Sequence, residues 1–263
     1  MNRIAKTALA VTAISVMTAC GSAETVTPDV AVSESNTQIT AAETEYLLDP
    51  DRKFDSSADE DDTAYVIAEP ENSDIKIYGV MNSNTVIIEH DGKADYFEQI
   101  WLTPRMILPE AYFSDYDGDG ENELAVSYYV GSGTGVSVSE LVVYEKDESG
   151  SFKGYPLYTD ALTGMLNEKI SCDIDNENHI ITFTCSDSDK TYTADTSEDY
   201  PYDIESVQFG ALVEYGLTAD KIMVQAKPNV RLFYECMPTV TADVRFADGK
   251  FTLHNIELTD SEP

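Results

Sequence analysis

The chain has 263 residues, of which 42% are hydrophobic, so it is long enough for one large domain or two small ones with a real core. Asp and Glu number 49 against 16 Lys and Arg, which gives a formal net charge of −33. A surface of that sign repels nucleic acid and anionic lipid headgroups, so neither is expected as a direct ligand, whereas divalent cations and cationic partners are favoured.

Residues 1–19 are typical of an export signal, because a positively charged start is followed by an apolar stretch too short for a stable transmembrane helix. The sequence MTACGS at 17–22 places small residues directly before a cysteine, and it resembles the lipobox of bacterial lipoproteins. The resemblance implies cleavage before Cys20 and a diacylglycerol on its thiol, and two acyl chains anchor a protein stably to a membrane. The alternative is an ordinary secretory signal with a chance cysteine.

Residues 20–63 are rich in Ser, Thr, Ala, Asp and Glu and include the charge run DSSADEDDT. They show neither a helical nor a strand period. We therefore expect a lipidated, disordered acidic tether that lifts a folded domain, residues 64–263, off the membrane.

Strand patterns dominate the predicted domain, and one short helix is expected at 159–169. Asp91-Gly92 and Asp248-Gly249 are typical hairpin turns. The strand-like segments are DIKIYGVM, TVIIEH, KADYFEQIW, ILPEAYF, ELAVSYYV, VSVSELVVYE, KISCDI, HIITFTC, KTYTAD, VQFGALVEYG, DKIMVQA, VRLFYEC, TVTADVRFA and KFTLHNIEL. This pattern predicts an all-β fold, a propeller, barrel or sandwich, in which most strands have one solvated face.

Three cysteines remain after Cys20. Cys172 and Cys185 flank a predicted hairpin, so a cross-strand disulfide is one interpretation. The other, slightly favoured, is that these two and Cys236 are small buried apolar residues. The chain has no CxxC and three scattered histidines, so a zinc site has no support.

The stretch SDYDGDGENELAV at 114–126 suggests a cation site. Ca²⁺ takes six to eight hard oxygen ligands, and carboxylates at alternating positions of a tight loop converge on one point. The two glycines permit the sharp turn, and a bound cation offsets the mutual repulsion of the carboxylates. The alternative is a solvated acidic turn. By position, the ligands are Asp115, Asp117, Asp119, the carbonyl of Glu121, and Glu123.

An EF-hand is excluded, because Val126 occupies the position of the bidentate Glu and both flanks are strand-like. A nine-residue loop between strands instead resembles the DxDxDGxx[DE] calcium loop of FG-GAP and VCBS repeats, found in integrin α-chain propellers and bacterial surface proteins. The resemblance implies a propeller-like fold in which these acidic residues ligate calcium. The motif occurs once, so either other blades have lost their loops or another β-fold, a sandwich or barrel, carries this one. DIDNENH at 173–179 lacks the glycine and is interpreted as an acidic hairpin turn.

Other candidate chemistry is weaker. The GSGTG at 131–135 precedes a strand and lacks a nearby Lys, so it is interpreted as a hairpin loop and not a phosphate cradle. No GxSxG or Cys–His nucleophile motif is present. Trp101 is interpreted as a core or rim residue in preference to a sugar-stacking platform, and Arg105 is expected to pair with Glu110 or a loop carboxylate.

The sequence therefore predicts a calcium-binding, membrane-anchored extracytoplasmic lipoprotein that acts as a non-catalytic binding module. The alternative is an extracellular enzyme or solute-binding lipoprotein acting on glycans or peptides, marked by a cleft with facing carboxylates. A third hypothesis is an interaction module with an exposed apolar patch near GSGTG, engaging a surface protein or glycan.

Overall fold

The computed structural model describes residues 46–55, 57–58, 63–71, 73–188, 190–196, 203–230 and 237–260. The predicted export signal, Cys20 and the tether as far as residue 45 lie outside these residues. So do Cys236 and nearly all of the predicted strand VRLFYEC. No helix in the described ranges is long and apolar enough to cross a membrane.

The described chain contains fifteen strands and one α-helix. The strands are β1 (Ala64–Ala68), β2 (Lys76–Val80), β3 (Thr85–His90), β4 (Lys93–Glu98), β5 (Glu110–Ser114), β6 (Glu123–Gly133), β7 (Val136–Lys146), β8 (Phe152–Leu157), β9 (Ile170–Asp175), β10 (Ile180–Cys185), β11 (Thr191–Asp195), β12 (Gln208–Leu217), β13 (Ile222–Asn229), β14 (Thr239–Ala247) and β15 (Lys250–Thr259). The helix α1 spans Thr159–Lys169, as the sequence predicts. The all-β prediction is confirmed.

The strands form three sheets. One has four strands in the order β1-β2-β3-β4, and one has three in the order β11-β10-β9. The largest has eight strands in the order β15-β14-β13-β12-β7-β6-β5, with β8 also paired to β7, and it curls strongly into a half-barrel. The described sheets do not repeat a four-stranded blade, and their character is that of a barrel or sandwich.

Strand β6 shows why some strands lack a solvated face. Its first seven residues are all buried, because Ala125 points into one core cluster while Leu124 and Val126 point into another. The first cluster is completed by Leu162 and Leu166 of α1. The second lies between β6–β7 and the four-stranded sheet. The near-continuous apolar run in β6 follows from burial on both faces.

Residues 46–55 pack on the domain, although the sequence places them in the tether. The Phe54 amide donates to the Val66 carbonyl (3.0 Å), and the Val66 amide donates to the Arg52 carbonyl (2.8 Å). The Phe54 ring lies 5.3 Å from the Trp101 ring, edge to face. Packed structure thus begins before the predicted boundary, because aromatic and aliphatic residues of this acidic segment find apolar partners on the sheet.

Both predicted hairpin turns are confirmed. Asp91 and Gly92 have φ of 47° and 72°, and Asp248 and Gly249 have φ of 51° and 70°. Positive φ at two successive residues is typical of the type I′ turn, whose backbone twist matches that of the two strands it connects.

Cys172 and Cys185 are both free thiols, so the disulfide interpretation is wrong. In the β9–β10 pairing Cys172 lies opposite Phe183 and Cys185 opposite Ile170, so the two cysteines do not face each other. Cys185 is buried, as expected, whereas Cys172 is exposed.

Candidate metal centre

The acidic loop is the connection of a β-hairpin. Strands β5 and β6 pair antiparallel, with Ser114 opposite Glu123, so residues 115–122 form the link between them. Val126, where an EF-hand would carry its bidentate Glu, is fully buried in β6 opposite Ala111. The strand flanks predicted from the sequence are therefore present.

Asp115 organises the turn. Its carboxylate accepts the amide of Gly118 (2.7 Å, Oδ1) and the amide of Gly120 (3.1 Å, Oδ2). Both glycines have positive φ, 83° and 95°, which a side chain would strain. The loop is thus folded around one carboxylate, and the glycines at these positions make that fold possible.

The remaining aspartates close smaller turns. Asp117 Oδ1 accepts the Asp119 amide (3.0 Å), and Asp119 Oδ1 accepts the Glu121 amide (2.7 Å). Each carboxylate has about four lone-pair positions, so these single bonds are compatible with metal ligation.

Glu123 differs from the other loop acids because its side chain is buried, with only 3% of the residue exposed. Its Oε2 accepts the Tyr116 amide at 2.7 Å. Burial raises the pKa of Glu123 to about 7, and the charges of Asp117 and Asp119 act in the same direction, against the amides of Tyr116 and Asp117. A cation beside this carboxylate would favour its ionised form.

Three carboxylates converge on one point. Asp115, Asp117 and Glu123 each offer an oxygen, and these oxygens lie within 4.8 Å of one another. Two oxygens that bind one Ca²⁺ at about 2.4 Å can lie at most about 4.8 Å apart, so the three can share an ion. In the described part of the chain, this is the one such group of three or more His, Cys, Asp or Glu residues.

One of the four predicted side-chain ligands is not in this group. Asp119 is exposed, and its carboxylate turns back to the Glu121 amide instead of joining the other three. The ligand predicted at Glu121 is its backbone carbonyl, which stays a prediction, and the Glu121 side chain is exposed.

The loop is also tied to a distant turn, which sequence reasoning missed. The Tyr116 hydroxyl donates to the Thr218 carbonyl (2.8 Å), and the Ser114 hydroxyl donates to the Ala219 carbonyl (2.6 Å). These carbonyls belong to the connection between β12 and β13, so the bonds cross the curl of the large sheet. The one available signal was an aromatic residue inside an otherwise acidic loop.

The acidic hairpin turn at 173–179 does not form a comparable cluster. Asp175 accepts the amides of Glu177 (3.1 Å) and Asn178 (3.0 Å) and holds the turn by itself. It is an ordinary acidic turn, as the missing glycine predicts.

Trp101 is a core residue. It is 2% exposed, and its Nε1 donates to the Val80 carbonyl at 3.2 Å. Arg105 is exposed and forms no ion pair within the described residues, so the predicted pairing with Glu110 or a loop carboxylate is absent there.

Thr134 and Gly135 link β6 to β7 in a hairpin, as predicted, whereas residues 131–133 of GSGTG are the paired end of β6. The third hypothesis predicts an exposed apolar patch near this hairpin. None of the large exposed apolar side chains of the described residues belongs to residues 131–135.

A buried His–Asp pair and an open surface groove were not anticipated from the sequence. His90 Nε2 lies 3.0 Å from Asp95 Oδ2, which also accepts the Phe152 amide (2.8 Å). Both side chains are buried, so this pair ties β3–β4 to β8 and is closed to a substrate. An open groove of about 560 Å³ lies on β12–β15 and is lined by Leu212, Val213, Glu214, Gln225, Ala226, Lys227, Thr239, Thr241, Thr259 and Asp260.

Fold and site together define an all-β protein whose β5–β6 hairpin carries three converging carboxylates suited to a hard divalent cation. No protein-family model, no curated protein and no solved structure matches this chain.

Proposed function

We propose that this protein is a membrane-anchored extracytoplasmic lipoprotein whose loop 115–123 binds a structural Ca²⁺, and that it serves as a non-catalytic binding module. The observation that carries the calcium proposal is the approach of Asp115, Asp117 and Glu123 within 4.8 Å, with Glu123 buried. An acid buried beside two others is unfavourable unless it is protonated or neutralised by a cation.

The donor set favours calcium over other metals. All three groups are carboxylates, which suit hard cations, and none is the thiolate or imidazole typical of zinc. Ca²⁺ accepts irregular geometry and mixed ligands, whereas Mg²⁺ demands a near-ideal octahedron. The Glu121 carbonyl and water would complete the coordination.

The anchoring proposal rests on residues 1–22, where a charged start, a short apolar stretch and MTACGS occur in the order of a lipoprotein signal. Extracellular calcium modules commonly bind with dissociation constants of about 10⁻⁴ to 10⁻³ M. Such an affinity would keep the site occupied outside the cell. Calcium would then hold the β5–β6 hairpin together permanently, a role that we call the staple.

Thermal melts with saturating Ca²⁺ and with EGTA test the staple. At a free Ca²⁺ concentration 100 times the Kd, binding stabilises the native state by about 2.7 kcal/mol. For a domain of this size, about 2–4 °C per kcal/mol corresponds to a rise in Tm of about 5–10 °C. The double variant Asp117→Ala/Asp119→Ala should lose this difference.

A matched control separates the site from the acidic surface. Asp173→Ala/Glu177→Ala removes two exposed charges from the other acidic turn and should keep the full calcium-dependent rise in Tm. Identical melts of the wild type in Ca²⁺ and EGTA, or an equal loss in both double variants, would show that the staple does not exist.

The groove on β12–β15 favours solute binding as a second function. Its lining combines the charged residues Glu214 and Lys227 with Gln225 and several threonines, a polar set suited to a glycan or an extended peptide. Amide chemical shifts recorded with oligosaccharide and peptide panels would detect such a ligand, and perturbations spread evenly over the surface would argue against it.

A further inference from the structure

Most of the exposed large apolar side chains belong to one connection. In the described residues they are Leu47, Ile100, Met106, Ile107 and Met223. Three of these five lie at 100–107, between β4 and β5. Met106 adopts φ of +54°, a left-handed conformation uncommon for a residue other than glycine, and its amide donates to the Thr103 carbonyl at 2.8 Å.

The connection at 99–109 is packed against the hydrophobic core. Trp101 is buried, bonded to the Val80 carbonyl and packed against Phe54. Leu102 and Leu108 pack against the same core cluster. The exposure of Ile100, Met106 and Ile107 is therefore a property of a well-packed loop and not of a frayed end.

The loop itself carries no negative charge. Residues 99–109, QIWLTPRMILP, contain one arginine and no acid, in a chain with 49 acidic residues. Glu98 and Glu110 bound the segment at either end. The loop thus offers apolar side chains on a segment that adds no negative charge of its own.

We propose that loop 99–109 is the surface through which the anchored domain contacts the lipid headgroup region. This inference rests on the anchored part of the proposed function. From Cys20 to Tyr46 the chain advances 26 residues, or at most about 90 Å when extended. A connection of that length is compatible with any face of the domain reaching the lipid, and the loop with apolar side chains and no acid of its own meets the lipid at least cost.

A lipid surface fits this loop better than a second copy of the chain. Two copies that each carry a net charge of −33 repel one another, whereas zwitterionic headgroups have no net charge. The acyl anchor also holds the domain at a high effective concentration near the lipid, so a contact of three side chains suffices.

Methionine oxidation provides the test, because Met106 and Met223 are 51% and 38% exposed and serve as reporter and internal reference. The acylated full chain is treated with peroxide on phosphatidylcholine vesicles, and the unacylated chain carrying Cys20→Ser is treated in buffer. In buffer Met106 should oxidise at least as fast as Met223. On vesicles the Met106 rate should fall severalfold while the Met223 rate stays unchanged.

Two variants make the test specific. Ile107→Asp places a charge in the contact and should restore Met106 oxidation on vesicles. Leu47→Asp, a change of the same kind at a side chain that is 75% exposed outside the loop, should leave Met106 protected.

Three outcomes overturn the proposal. Equal Met106 oxidation on vesicles and in buffer, with diacylglycerol confirmed on Cys20 by mass spectrometry, overturns the lipid-facing loop and leaves the anchor intact. A chain without that acyl mass overturns the anchor and, with it, this inference. Protection of Met106 that grows with the concentration of the unacylated chain, without vesicles, assigns the loop to a second copy.

Discussion

Glu123 is the residue at which burial and charge oppose each other most clearly. Its carboxylate is the buried member of the cluster, and burial, with the neighbouring Asp117 and Asp119, raises its pKa to about 7 from an ordinary 4.5. In the metal-free protein the folded state therefore binds the Glu123 proton more tightly than the unfolded state does. Its contribution to stability is full below about pH 4.5 and is lost as the pH rises through 7.

This predicts a pH effect that calcium reverses. In EGTA, the free energy of unfolding of the wild type relative to Glu123→Gln should fall by about 1–3 kcal/mol between pH 5 and pH 8. In saturating Ca²⁺ the free energy of unfolding of the wild type should rise relative to that of the variant over the same pH range, because the metal requires the ionised carboxylate. Urea denaturation at several pH values measures the difference, and one that stays constant with pH in EGTA would contradict the assignment.

Gly79 is a second residue whose identity is set by its surroundings. A Cβ added there would overlap the indole ring of Trp101, which is buried and bonded to the Val80 carbonyl. We expect Gly79→Ala to lower the free energy of unfolding by about 1–3 kcal/mol through overpacking. Gly164→Ala is the matched control, because Gly164 is exposed in α1 with nothing near its added Cβ, and it should stabilise by about 0.5–1 kcal/mol. Chemical denaturation of both variants checks this, and equal effects would refute the tight contact.

At the scale of elements, the β5–β6 hairpin and the β12–β13 connection act as a clasp, which we define as Ser114 and Tyr116 bonded to the carbonyls of Thr218 and Ala219. Tyr116 links the two ends, since its amide holds Glu123 and its hydroxyl holds Thr218. Order at the metal loop should therefore be coupled to order at the distant turn, and such coupling is reciprocal.

The clasp predicts a measurable change in calcium affinity. Tyr116→Phe removes one hydrogen bond, worth about 0.5–1.5 kcal/mol, and should weaken Ca²⁺ binding by up to about tenfold. Reciprocally, Ca²⁺ should slow amide exchange at 218–221 in the wild type and have less effect there in the variant. Tyr192→Phe is the control: it removes a hydroxyl of β11 that donates to Asp260, far from the clasp in sequence. It should change neither the Ca²⁺ affinity nor the amide exchange at 218–221. Unaltered affinity in Tyr116→Phe would show that the clasp is only structural.

Local features of the chain could be predicted, and long-range ones could not. The helix at 159–169 depends on helix propensity, and the turns at Asp91 and Asp248 depend on positive φ at two neighbouring residues. These are properties of a few consecutive residues, and all three elements were predicted. The spacing of Asp115, Asp117 and Glu123 likewise indicated a cluster. The bond from Tyr116 to Thr218 spans 102 residues, and it depends on the curl of a sheet that no local pattern specifies.

At the scale of the whole molecule, the same limit explains the remaining differences. One acidic loop resembled a propeller repeat, yet a loop of this kind needs only two antiparallel strands, which a curled sheet also supplies. The sequence placed residues 46–55 in the tether because acids surround them, whereas the Phe54 ring packs against Tyr65 and against Trp101, which lies far along the chain. Composition alone does not reveal such contacts.

Calorimetric titration of Ca²⁺ into the chelator-treated protein measures binding at loop 115–123 itself, independently of folding stability. A Ca²⁺ site in this loop predicts one saturable binding event with a Kd of about 10⁻⁴ to 10⁻³ M. It further predicts the loss of that site in Glu123→Gln, which removes the buried charge but keeps an oxygen that can accept the Tyr116 amide. Absence of saturable binding in the wild type, or binding of equal strength in Glu123→Gln, would contradict it.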